Sequence, residues 1–317
     1  MNILIFGKDG QLGKAFQNLL NPLSIQREFN IQYVGRAECD LSNLEALYSI
    51  LNEAKPNLII NASAYTAVDK AEAEVDLAFA VNASAPELMA KYAVQTGATL
   101  LHYSTDYVFD GNKLCSYVEA DERNPLSVYG KSKAAGEVAI EETFANAKQG
   151  QYAIFRTSWV YGDGGNFIRT ILRLAKEREE LKIIHDQYGV PTSADWLARV
   201  SLDLVFGADL QLRSFESGVY HVVPDGETTW YGLASVVVQT ALDIGVQLKV
   251  RTECIKPILA VEYPLPAPRP MNSRMDCSKL RKAIEGLGDM SKLDSFNQPW
   301  AIGVENYVKA LASNKLI

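Results

Sequence analysis

Histidine is scarce in this 317-residue chain, with 3 copies, and its cysteines Cys39, Cys115, Cys254 and Cys277 form neither a CxxC pair nor a metal-ligand spacing. That pattern argues against a disulfide framework and against a zinc site, and no metal is expected. Positive charge is also short: 31 Lys and Arg face 38 Asp and Glu, a formal net charge of −7. Nucleic acids and anionic bilayers are held by dense positive charge, so neither is an expected partner. No apolar run nears the roughly 20 residues that span a bilayer. No basic, apolar leader precedes the strand-like run Asn2-Ile3-Leu4-Ile5-Phe6-Gly7, so the expectation is a cytoplasmic protein with reduced thiols.

What the chain does have is a 48% hydrophobic composition, enough for a sizeable core. Short apolar runs alternate with helix-period segments, the pattern of repeated βαβ units building a parallel sheet. Strands are expected at Ile3–Phe6, Ile31–Val34, Leu58–Ile60, Thr99–Tyr103 and Ala153–Phe155. Helices are expected at Leu12–Leu20, Leu44–Ala54, Asp76–Gln95 and Lys131–Phe144, with Asp40-Leu41-Ser42-Asn43 a start signal for the second. Beyond Arg156 the alternation weakens, and the run Tyr263–Pro270, rich in proline, suits neither a helix nor a central strand. The fold class is therefore α/β. Residues 1–156 form one unit, and 157–317 form mainly a smaller lobe with some segments returning to the first sheet.

Gly7, Gly10 and Gly13 follow the first strand and open a helix, where a tight turn and close backbone approach to a pyrophosphate are needed. The spacing is GxxGxxG rather than GxGxxG, and a purely structural turn is the alternative. Arg36 follows the second strand, where the adenosine ribose of a dinucleotide should lie. Its guanidinium suits a 2′-phosphate, which favours NADPH while leaving NADH possible. The bland reading of Arg36 is a solvated arginine. Asp40 and Leu41 are adenine-side candidates, although Asp40 also suits a helix cap.

Tyr129 and Lys133 stand four residues apart, on one face of a helix. A nearby ammonium stabilises tyrosinate and moves a phenol towards useful acid–base strength. YxxxK alone is common on solvated helices. It gains weight from the strand-like His102-Tyr103-Ser104-Thr105, because open α/β sheets bind ligands beyond the carboxyl ends of their strands. Thr105 is thus placed to hydrogen-bond a carbonyl beside Tyr129, the alternative being a hydroxyl that serves only loop backbone. Asn61 and Asn82 are open between backbone and ligand roles, and His102, His185 and His221 receive no catalytic role. Arg269, in the stiff proline segment, loses little freedom on gripping a diphosphate; a solvated arginine is again the alternative.

With these motifs, and with the segments Asn61–Glu72, His102–Phe109, Phe155–Tyr161, Asp186–Thr192 and Arg269–Ser273, the chain resembles the extended short-chain dehydrogenase/reductase family across most of its length. The resemblance implies a doubly wound Rossmann-type sheet, with a smaller C-terminal lobe holding the nucleotide half of the substrate. It implies Tyr129 as proton donor, Lys133 as its electrostatic partner and Thr105 as the hydroxyl that orients a carbonyl. Gly10, Gln11 and Leu12 would meet the pyrophosphate, Asp40 and Leu41 the adenine end, and Ala64, Tyr65 and Thr66 the middle of the cofactor. Val68, Asp106, Tyr107 and Trp159 would line a sugar pocket.

The activity so implied is NADPH- or NADH-dependent reduction of the keto group of a nucleotide-linked 6-deoxy sugar. Some members are dimers bridged by Mg²⁺ through acidic side chains, one of them just after the glycine turn. Ala15 stands there in this chain, so no metal is carried over, while a homodimer stays open. Alternatives are an epimerase or 4,6-dehydratase, which Asp106 keeps open, and a non-catalytic cofactor-binding regulatory subunit.

Overall fold

The computed structural model describes every residue except 27–28, 208 and 287–295. Its centre is a six-stranded, wholly parallel sheet with the spatial order Gly218–His221, Gln151–Thr157, Thr99–Thr105, Leu58–Asn61, Asn2–Phe6, Asn30–Val34. This is the expected doubly wound architecture. After the second strand the chain crosses to the other side of the first, which opens a crevice at the carboxyl ends of Asn2–Phe6 and Leu58–Asn61. In such sheets ligands bind at that crossing point.

The five expected strands are present, each extended by one to four residues; the four inner ones alternate their side chains between two largely buried faces, while the edge strand Asn30–Val34 buries only Val34. Ile3, Ile5, Leu101, Tyr103 and Phe155 meet the helices Gln11–Gln26 and Ala194–Val205 on one side. Leu4, Phe6, Leu100 and Ile154 meet Leu44–Ala54 and Ala85–Thr96 on the other. The first helix buries Leu12, Ala15, Phe16 and Leu20, a stripe of one helical face. It runs beyond the expected Leu20 and through Pro22. Leu44–Ala54 has the expected bounds, with Asn43 rather than Asp40 as its cap: the Asn43 side chain accepts from the Ala46 amide.

Two departures matter for function. The single helix expected over Asp76–Gln95 is instead Val75–Phe79, a π-helical turn Ala80–Ser84, and Ala85–Thr96. Such turns insert an extra residue into the helical repeat, which period-based reading does not register. The other is the sixth strand, Gly218–His221, which returns from the second half of the chain to pair with Gln151–Thr157. A separate apolar cluster that includes Ile168, Leu172, Leu233, Val237, Val304 and Val308 forms the smaller lobe, with Leu181–Ile184 paired to Ile255–Ile258 beside it.

The helix Val128–Phe144 carries Tyr129 and Lys133, and a buried ion pair fastens it to the sheet. Glu137 on that helix accepts from Arg156 on the fifth strand at 2.6 and 2.9 Å and from Arg123 at 2.6 Å. Burial alone would raise the Glu137 carboxyl, but the two guanidiniums hold it below the ordinary carboxylate range. Removing Arg156 leaves the buried Glu137 charge with Arg123 alone. Arg156→Met is expected to cost about 3–5 kcal/mol in urea unfolding, with the double variant Glu137→Leu/Arg156→Met recovering part of the loss. A loss below about 1 kcal/mol, typical of a surface pair, would contradict this account.

Candidate functional site

At the crevice the backbone is packed too closely for side chains. Gly7 has φ 89°, and a Cβ there would lie 2.7 Å from the Ala62 carbonyl oxygen; one on Gly13 would lie 2.0 Å from the Gly7 oxygen. Gly10 is under less pressure, its Cβ position being 3.4 Å from that oxygen. The helix beginning at Gln11 has no acidic residue in its first turn, so its free amides and dipole face the crevice unopposed. Leu12 turns its side chain into the core, which leaves only its backbone for a ligand. The Gln11 side chain meets Asn166 of the smaller lobe at 3.2 Å.

Beside this turn is a cavity of about 120 Å³ whose walls bring together Arg36, Asp40, Leu41, Ala64 and Tyr65. Arg36 lies 3.4 Å from Asp40 with its side chain 77% exposed, an ion pair weak enough to open for a ligand. Asp40 also accepts from the Ser42 amide and hydroxyl, which hold its carboxyl below the usual range. Thr66 is exposed at the end of the same loop.

The buried Asn82, projected by the π-helical turn, accepts from the Tyr65 amide at 2.8 Å. It donates to the Tyr65 carbonyl at 3.1 Å and to the Ser132 hydroxyl at 3.0 Å. One side chain thus joins the 64–66 loop to the helix that carries Tyr129 and Lys133. Its role is backbone geometry, and the irregular turn that delivers it has no sequence period.

Lys133 is buried and turns away from the simple partnership its spacing suggests. Its ammonium donates to the Tyr103 carbonyl at 2.5 Å and lies 3.2 Å from His102 Nε2. The other ring nitrogen of His102 meets Asn61 Nδ2 at 3.0 Å. Burial, reinforced by the Lys133 charge, keeps His102 well below its ordinary pKa and therefore neutral. Burial also lowers Lys133, to about 8. Sequence reasoning passed over His102; its place on a strand of the sheet, facing the lysine, is a tertiary fact.

Tyr129 meets Tyr107 edge-on, with ring centroids 5.4 Å apart. Its pKa is pushed up to about 12, chiefly by burial, with the nearby Thr105 hydroxyl opposing and Asp106 adding to the rise. The expected drop towards neutrality is thus absent in the free protein, where burial raises Tyr129 and Lys133 is bonded to the Tyr103 carbonyl instead. Thr105 in turn donates its one proton to Asp106 Oδ1 at 2.9 Å, and Ser273 donates to the other Asp106 oxygen. The Thr105 oxygen accepts from the Tyr107 amide at 3.2 Å, so the expected donation to a carbonyl requires its proton to leave Asp106.

The proposed sugar-pocket residues separate. Tyr107 and Arg269 line a cavity of about 410 Å³ together with Phe167, Lys182, Gln187 and Trp230. Trp159 instead stacks on Trp230 at 3.7 Å, held at φ 47° against Gly189. Val68 opens the short helix Val68–Ala71 outside that lining. Arg269 pairs with Asp69 at 2.9 Å. Phe167, Lys182 and Trp230 carried no motif that marked them in the sequence, whereas Gln187 lies in the Asp186–Thr192 segment. Among the described residues no cluster of three or more His, Cys, Asp or Glu could hold a metal, and no helix is long and apolar enough to cross a membrane.

The model of the RmlD substrate binding domain family matches residues 1–290. The chain is 44% identical over 286 residues to the dTDP-4-dehydrorhamnose reductase of Escherichia coli strain K12, covering 89% of this chain and 91% of that one. The crystal structure of a dTDP-4-dehydrorhamnose reductase from Clostridium acetobutylicum superposes with a TM-score of 0.83 at 34% identity, covering 98% of this chain and 100% of that one. The Bacillus anthracis dTDP-4-dehydrorhamnose reductase, in complex with NADP, gives a TM-score of 0.78 at 34% identity, with coverage of 96% and 97%.

The Asn82 clamp sets an expectation. Asn82→Leu strands the part-buried Tyr65 amide and carbonyl, while the Ser132 hydroxyl keeps its bond to the Tyr129 carbonyl, so a destabilisation of about 2–4 kcal/mol is expected in urea. NADP(H) affinity, followed by fluorescence, should fall with it. Unchanged stability together with unchanged affinity would dismiss the clamp.

Proposed function

The chain belongs to the RmlD substrate binding domain family, and on that footing we propose that it reduces the C4 keto group of dTDP-4-dehydro-6-deoxy-L-mannose to dTDP-L-rhamnose with NADPH, a step of dTDP-rhamnose biosynthesis. The observation that carries the reading is the grouping of Tyr129, Tyr107 and the Thr105 hydroxyl at a strand end, beside the cavity that Tyr107 and Arg269 line. Residues 1–156 act chiefly on the cofactor and 157–317 chiefly on the nucleotide sugar, with Gly218–His221 returning to the sheet. Four cysteines without bridges among them fit a cytoplasmic setting. The proposal extends to a homodimer, which sedimentation of the purified protein reads directly.

The residues present fit a bound dinucleotide. Gly7 and Gly13 leave room for phosphates, the helix from Gln11 offers amides, and the Arg36 cavity accepts an adenosine end. When bound, NADPH supplies the hydride. Tyr129 then gives its proton to the carbonyl oxygen as negative charge grows there, which its raised pKa permits because it remains a protonated acid at neutral pH. Thr105 aligns that hydroxyl and the carbonyl it meets. Lys133, held by His102 and the Tyr103 carbonyl, supplies fixed positive charge in a site where burial magnifies its effect. Arg269 can exchange Asp69 for a diphosphate, a doubly charged acceptor that matches its planar donors.

Product analysis by NMR tests the reaction. The dTDP-4-keto sugar, with its 3,5-epimerase and NADPH, is expected to give dTDP-L-rhamnose faster than UDP or GDP analogues react. Tyr129→Phe should reduce turnover by about a hundredfold or more while cofactor affinity stays within a few fold, the scale of a lost general acid. Wild-type turnover by that variant would sink the assignment. Arg36→Ala should raise the Michaelis constant for NADPH more than for NADH, by about tenfold or more if a charge-assisted bond to the 2′-phosphate is lost. An equal effect on both cofactors would reject that role.

A further inference from the structure

The stretch Arg269–Ser273 touches both ends of the proposed chemistry. Arg269 lines the larger cavity, and four residues later the Ser273 hydroxyl donates to Asp106 Oδ2. Asp106 Oδ1 accepts from Thr105 at 2.9 Å, the Thr105 oxygen accepts from the Tyr107 amide at 3.2 Å, and the Tyr107 ring packs edge-on against Tyr129. Asp106, Thr105 and Ser273 are all buried, so these bonds meet no competing water.

The stretch is itself immobilised. The Ser273 amide donates to the Tyr188 carbonyl at 2.8 Å, and the Tyr188 amide to the Met271 carbonyl at 2.9 Å. Asn272 donates to the Lys113 and Cys115 carbonyls at 2.6 and 2.9 Å. At Gly111, φ 76°, a Cβ would lie 2.6 Å from the Met271 amide, so the loop after the fourth strand presses directly on this stretch. A carboxylate only accepts, so two donated bonds leave Asp106 directing the Thr105 proton away from Tyr129.

We propose that Ser273 is a positioning residue for the reduction: through the Asp106 carboxylate it fixes the Thr105 hydroxyl, and so ties the alignment of Tyr129 to the stretch that meets the nucleotide half of the substrate. The inference rests on the catalytic reading of Thr105 and Tyr129. Asp106 thereby orients the catalytic pair, a different task from lining the sugar pocket. Burial raises the Asp106 carboxyl to about 6 while the Ser273 and Thr105 hydroxyls pull it down. Tyr107 and Tyr129 are the titratable side chains that face it, and Tyr107 in turn faces the Arg269–Asp69 pair. As pH falls through about 6, Asp106 is protonated, the bond pattern reverses and kcat should fall with it. Without Ser273 the carboxyl rises further, so the acid limb moves to higher pH.

Steady-state kinetics of the full chain with the dTDP-4-keto sugar and NADPH tests this. Ser273→Ala is expected to lower kcat about tenfold, the scale of one hydrogen bond to a charged acceptor, with the Michaelis constant for NADPH within about twofold and the acid limb shifted upward. Ser273→Thr, which keeps the hydroxyl, is expected to restore most of the rate and the original limb. If Tyr129→Phe is inactive but Ser273→Ala keeps wild-type kcat and limb, the coupling alone is overturned. If Tyr129→Phe keeps its turnover, the catalytic reading fails first. A slower Ser273→Ala with an unmoved acid limb also overturns the coupling, since a structural role predicts that pattern. Should Ser273→Ala fold poorly, Asp106→Asn carries the test in the same assay: the acid limb is expected to vanish, and its persistence overturns the proposal.

Discussion

Removal of water from the carboxyl ends of three adjacent strands governs this molecule. Tyr129 is raised, Lys133 lowered and Asp106 raised, in each case first by burial. A buried polar group costs free energy unless it is bonded, so each must find a partner from a different element. Thr105, His102, the Tyr103 carbonyl and Ser273 are those partners. The outcome is a tyrosine that stays protonated at neutral pH, beside a lysine whose charge is held in place by neutral groups.

The same requirement explains the scaffold. The Glu137–Arg156 pair fastens the Tyr129 helix to the fifth strand, and Asn82 fastens it to the 64–66 loop. Gly136 permits the close approach, since a Cβ there would lie 2.0 Å from the Asn82 oxygen. These contacts fix the 64–66 loop and the fifth strand against the helix that carries Tyr129 and Lys133.

Much of this was legible in the chain. Alternating apolar runs and the Leu12, Ala15, Phe16, Leu20 stripe marked the sheet and its first helix, because local period reports burial. Gly7 and Gly13 were legible because their backbone positions exclude a side chain. Illegible were features made by tertiary contact. The π-helical turn shifts Asn82 out of period, Lys133 points to a strand rather than along its own helix, and Ser273 meets Asp106 across 167 residues. Trp159 was legible as an aromatic after a strand, but its stacking on Trp230 depended on a helix far away in the chain.

The late strand Gly218–His221 has a bearing on biosynthesis. Until it emerges from the ribosome, Gln151–Thr157 is the bare edge of a growing sheet, with a row of free amides and carbonyls and a wholly buried apolar interior at Ala153–Phe155. Such an edge invites pairing with other chains. A fragment ending near residue 156 would carry that exposed edge permanently. The second half of the chain thus protects the solubility of the first, quite apart from any part it takes in binding.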